Sequence, residues 1–99
     1  MTPTQIAENL KQAVKTNPYK NAIKSVSLFG SSITKSKNAN DIDVLIDFNQ
    51  DIGYFTLSEI QEDFEKKLNK PVDLVTKNSL SKYFRDDVLK QAQKVYESE

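Results

Sequence analysis

Apolar residues recur along this chain in two rhythms, and the switches between them mark its elements. Ile6, Leu10, Ala13 and Val14 follow Thr4 at helical spacing, which predicts a first helix ending near Asn17-Pro18. Ile23 to Phe29 reads as a strand stopped by Gly30. Ser31 to about Lys35 can open a short helix, and Lys37 to Asn40 is a polar loop. From Asp41 to Phe48 the period is two: Ile42, Val44, Ile46 and Phe48 share one face, and Asp41, Asp43, Leu45 and Asp47 the other. Asp51-Ile52-Gly53 is a turn, after which Thr56 or Ser58 caps a helix whose stripe is Leu57, Ile60, Phe64 and Leu68. Val72 to Thr76 is a third strand. Ser79 onward, with Phe84, Val88, Leu89, Ala92, Val95 and Tyr96, predicts one or two closing helices. The order α-β-α-β-α-β-α, without repeats or linkers, points to a small α/β (α+β) domain with a three-stranded mixed sheet flanked by helices.

Composition narrows the chemistry. Ninety-nine residues suit a single domain spanning 1–99. The 14 basic and 14 acidic residues balance, so no global field recruits nucleic acid, and direct nucleic-acid binding is not expected. The balance is uneven along the chain: residues 1–40 carry six lysines and one acid, and residues 41–99 carry thirteen acids and eight bases. Such an asymmetry suits lysines near a polyphosphate and acids near a metal, and equally suits solvated faces that differ by chance. Cysteine and histidine are both absent, which excludes disulfides and thiolate chemistry and removes the commonest general base. Any metal site is therefore built from oxygen, which favours magnesium or manganese. No apolar run approaches a membrane span and no signal-peptide core opens the chain, so a cytoplasmic protein is expected.

Against that background the aspartates stand out. Nine residues separate Gly30-Ser31, at the end of an apolar run, from Asp41-Ile42-Asp43 at the start of another. A glycine-serine turn can hold phosphates through backbone N–H groups and a hydroxyl. Aspartate is poorly suited to strands, yet Asp73 interrupts a third apolar run, Pro71-Val72-Asp73-Leu74-Val75. A solvated strand end accounts for the first pair alone; a third aspartate in mid-strand weakens that account. With the 56–69 helix as a crossover, Asp43 and Asp73 can lie side by side, and carboxylates so close repel unless a divalent cation neutralises them. Two metals about 3.5–4 Å apart would clamp the attacking and leaving oxygens of an in-line displacement. An EF-hand reading fails, because Ile46 stands where the calcium loop needs glycine. Asp47, farther along the same face, suits a solvent-facing or supporting role. Lys35 and Lys37 suit solvated loop positions or phosphate screening. Tyr54 and Phe55 suit loop packing or stacking on a base, and Tyr83, Phe84 and Tyr96 suit a core or a partner surface.

The ordered set resembles the nucleotidyltransferase superfamily that includes DNA polymerase beta, and within it the minimal nucleotidyltransferases of bacteria and archaea. Ser27-Leu28-Phe29-Gly30-Ser31 is similar to the phosphate-binding signature, Asp41 to Phe48 to the metal-binding strand, and Pro71 to Thr76 to the third-carboxylate strand. Leu80 to Arg85, Val88 to Lys90 and Val95-Tyr96 are similar to the closing helical segment. The chain departs from the pattern where Ser32 and Lys35-Ser36 replace an arginine and a glycine, where the loop is one residue short, and where Asn40 replaces a serine.

By this resemblance Asp41, Asp43 and Asp73 are the metal-binding catalytic carboxylates, and Gly30, Ser31 and Ser32 hold the phosphates of ATP, with two magnesium ions, or manganese, in attendance. The resemblance also implies an antitoxin, encoded beside a HEPN-domain toxin and transferring AMP from ATP to a tyrosine of it. Two other functions fit the same residues: a small-molecule nucleotidyltransferase subunit of the aminoglycoside kind, and a non-catalytic antitoxin that acts by covering its partner.

Overall fold

The period-two pattern of the strands divides this protein into a helix-covered sheet face and its reverse. The computed structural model describes residues 2–29, 42–77, 90 and 92–98. Its elements are α1 (Pro3–Lys15), β1 (Ile23–Phe29), β2 (Ile42–Phe48), α2 (Tyr54–Leu68), β3 (Val72–Thr76) and β4 (Gln93–Glu97), with a short 3-10 turn at Lys20–Ala22. The strands form one mixed sheet in the order β3-β2-β1-β4, in which β2 and β3 are parallel and the other pairs antiparallel.

α1 begins with a capping box two residues earlier than Thr4 suggests. The Thr2 hydroxyl accepts from the Gln5 amide, and the Gln5 side chain accepts from the Thr2 amide. Its stripe Ile6, Leu10, Ala13 and Val14 is buried as expected. α2 begins at Gly53 rather than at Thr56 or Ser58, so Tyr54 and Phe55 lie in its first turn. It ends at Asn69, whose φ of 55° is the left-handed conformation that asparagine tolerates better than most residues, and Pro71 then prevents continuation. Ile60, Phe64 and Leu68 of α2 meet Leu10 and Val14 of α1 over Val26, Leu28, Ile42, Val44 and Ile46 of the sheet.

A polar brace joins the helices at one end of this core. Asn17 is 5% exposed; its amide donates to Asp63 at 2.8 Å, and its side-chain oxygen accepts from the Tyr19 amide at 2.7 Å. Lys67 also reaches Asp63, at 2.8 Å, and the Tyr19 hydroxyl donates to Glu59. Burial of Asn17 is tolerated because both ends of its side chain find partners.

The mixed sheet is as expected, with one correction. Val95 and Tyr96 lie in a fourth strand, not in a closing helix. Val26 pairs with Tyr96 and Ser27 with Lys94, so β4 carries Val95 as an extra residue. Such a bulge lets two consecutive apolar residues pack on one core, which breaks the alternation that would have announced a strand. Expectations for residues 31–40 and for the helical run through Phe84, Val88 and Leu89 fall outside the described residues.

Candidate active site

β2 runs from a residue beside the β1–β2 connection, and β3 returns parallel to it after α2. Their register pairs Ile42 with Val72 and Asp43 with Asp73. In-register residues of neighbouring strands point to the same face, and the strands stand about 4.8 Å apart. Ile42 and Val72 are buried with the helices, so Asp43 and Asp73 occupy the reverse face, Asp43 half-buried and Asp73 exposed. Phe29 flanks Asp43 from β1. Along the same face follow Leu45 beside Ser27 and Asp47 beside Ser25. Asp47 is therefore two pairs removed from Asp43, as the alternation indicates.

The structure thus brings together two of the three expected carboxylates. Asp41, Gly30, Ser31 and Ser32 lie outside the described residues. Among the described residues there is no group of three or more carboxylates or other ligating side chains. Asp43 and Asp73 supply oxygen donors only, as suits a hard divalent cation.

Sequence reasoning missed two residues next to this pair. Gln61 donates its side-chain amide to the Val72 carbonyl at 2.9 Å, and the Glu65 carboxylate accepts from the Val72 amide at 2.9 Å. A polar pair at i and i+4 on an otherwise apolar-flanked face was the available signal. It says that two side chains meet a common neighbour and not which one. Tyr54 and Phe55 also differ from expectation: they do not pack, being 83% and 87% exposed. A cavity of about 540 Å³ opens at the far ends of β2 and β3, floored by Ile46 and walled by Phe48, Ile52, Leu57, Asp47 and Lys77. It is separate from the carboxylate pair.

Comparison with known proteins decides the family. Residues 8–99 match the family described as polymerase beta, nucleotidyltransferase. This chain belongs to that family. One relative, assigned as a protein adenylyltransferase in Methanocaldococcus jannaschii, is 36% identical over 80 residues, covering 80% of this chain and 82% of its own. The protein adenylyltransferase MntA of Thermococcus cleftensis is 31% identical over 70 residues, 70% of this chain and 71% of its own. Among solved structures, a chain of a toxin–antitoxin complex with AMP-PNP superposes with a TM-score of 0.76 at 20% identity, over 94% of this chain and 74% of that one. A complex of tri-AMPylated Shewanella oneidensis HEPN toxin with MNT antitoxin gives a TM-score of 0.71 at 17% identity, over 98% and 74%. These structures share the fold of this nucleotidyltransferase. No helix among its described residues is long and apolar enough to cross a membrane.

Proposed function

We propose that this nucleotidyltransferase transfers AMP from ATP to a hydroxyl on a partner protein, most simply a tyrosine of a HEPN-domain toxin, and so acts as an antitoxin. The observation that carries the reading is the in-register pair Asp43 and Asp73 on the sheet face away from the core. Relatives assigned as protein adenylyltransferases support it, as does the presence of AMPylated HEPN toxin in a complex of like fold.

In this reading Asp41 and Asp43 would hold the divalent cations. Asp73, on the neighbouring strand, would join them as a metal-binding carboxylate and help activate the acceptor hydroxyl by taking up its proton. Gly30, Ser31 and Ser32 hold the phosphates. Bound magnesium supplies charge neutralisation at the transferring phosphoryl group. The acceptor oxygen forms a bond to the α-phosphorus, the bond to the β-phosphate bridge breaks, and pyrophosphate leaves. A protein acceptor suits the exposed aromatic pair Tyr54 and Phe55, which folding does not require.

Incubation with labelled ATP, magnesium and the HEPN protein encoded alongside tests the reading. Label should appear on the partner, and Asp41→Ala/Asp43→Ala should abolish labelling and protection while binding persists. Full protection by the double variant at matched expression would favour the covering antitoxin instead. ATP alone should barely shift the melting temperature, because the carboxylates repel the triphosphate. Magnesium with ATP at about 100 times the dissociation constant should stabilise by about 2.7 kcal/mol.

A further inference from the structure

We propose that Gln61 and Glu65 are positioning residues that set Asp73 against Asp43 by clamping the backbone one residue upstream. The inference rests on reading Asp73 as a carboxylate of the transfer site.

The argument begins with the sheet edge. In a parallel ladder, backbone groups of alternate residues point to opposite sides of the strand. The Ile42 amide donates to the Pro71 carbonyl at 2.9 Å, so that carbonyl faces β2. Both backbone groups of Val72 then face outward. β3 is the last strand of the order β3-β2-β1-β4, so among the described residues no strand meets them there. Instead α2 supplies a donor for the carbonyl and an acceptor for the amide, each at 2.9 Å, from residues one helical turn apart. The polarity of each side chain matches the group it meets. Two residues of α2 thus stand in for the missing neighbour strand.

The clamp also has a firm base. Ile60, Phe64 and Leu68 of the same helix are essentially fully buried, so α2 is fixed on the core and its polar edge with it. Covering a strand edge by itself serves solubility. Here the gripped residue immediately precedes Asp73, and a slide or tilt of β3 at this point changes the spacing of the carboxylate pair directly. Partners one step behind a metal-binding group typically govern affinity or activity by about 10–100-fold.

Four variants separate positioning from edge cover. Gln61→Glu sets an acceptor against the Val72 carbonyl, and Glu65→Leu removes the acceptor from its amide. Gln61→Lys keeps a donor, and Glu65→Gln keeps an acceptor. Three measurements are made on the full chain: Mn²⁺ binding followed by electron paramagnetic resonance, kcat and KM for labelled AMP transfer, and the melting temperature. Gln61→Glu and Glu65→Leu should weaken Mn²⁺ binding and lower kcat about tenfold, with KM for ATP within about twofold. Gln61→Lys and Glu65→Gln should remain near the wild type in both. A lowered melting temperature with unchanged Mn²⁺ affinity and kcat in Gln61→Glu would reduce the pair to an edge cover. The Mn²⁺ titration needs no acceptor. A wild type that binds Mn²⁺ but labels nothing would overturn the AMP-transfer reading alone, and a wild type that binds no Mn²⁺ would overturn both.

Discussion

β2 shows one strand doing two jobs with alternate residues. Ile42, Val44 and Ile46 are buried against the helices, while Asp43 and Asp47 remain partly exposed on the reverse. The first set contributes by leaving water, each large side chain stabilising by roughly 1.5–3 kcal/mol. In the second, Asp43 stands in register with Asp73, and two carboxylates so placed repel. Folding and chemistry therefore fall on different positions of one strand, although Leu45, between the two aspartates on the reverse, is itself buried.

Substitutions on the two faces should sharpen that separation. Phe64→Ala empties the centre of the helix layer and should cost about 3–5 kcal/mol, read by denaturant unfolding, with the folded fraction still transferring AMP. If activity per folded molecule fell as steeply as stability, the faces would not be independent. Asp43→Asn should do the converse. Transfer should drop by about 10²–10³-fold or more, on the scale of losing one preorganised charge-stabilising group. The melting temperature of the metal-free protein should hold or rise as repulsion from Asp73 is relieved. A fall in stability would mean that Asp43 is a structural carboxylate.

Smaller effects probe the brace between α1 and α2, remote from the site. Asn17→Ala leaves the Tyr19 amide without its acceptor and Asp63 with Lys67 as its remaining donor, and should cost about 1–3 kcal/mol with kcat unchanged. The smallest effect is pH-dependent. The hydrogen bond to Glu59, aided by desolvation and by its negative charge, holds the Tyr19 hydroxyl above its ordinary pKa of 10.0. A raised folded-state pKa means that this contribution is fully present below pH 10 and fades as pH climbs through the folded value. Wild type and Tyr19→Phe should therefore differ slightly at neutral pH and converge in alkaline melts. A gap that widened with pH would contradict the bond.

Much of this arrangement is legible in the sequence, for reasons that differ by element. α1 and β2 show clean periodicity, β1 and β3 read as short apolar runs between Gly or Pro and polar residues, and the bounds of all four agree with the structure to within a residue or two. The pairing of Asp43 with Asp73 follows from strand alternation plus a crossover helix, and needs no knowledge of distances. β4 was illegible because its bulge sets Val95 and Tyr96 side by side, a spacing shared with a helix stripe. The clamp on Val72 was illegible for another reason: its target is backbone, which carries no letter in the sequence. The exposure of Tyr54 and Phe55 was missed because aromatics near a turn ordinarily pack.

The fourth strand has a kinetic consequence. β1 meets β2 across a short stretch of chain, but Ser25 pairs with Glu97 about seventy residues away. Closing so long a loop is entropically slower than forming the hairpin-like and crossover contacts. Folding should therefore assemble β1, β2, α2 and β3 first, with the carboxylate pair already in register, and dock β4 last. Until then the outer edge of β1 is an open template for a strand from another chain. Pulse-labelled amide exchange during refolding should find β4 protected after β2, and simultaneous protection would show instead that the sheet forms in a single step.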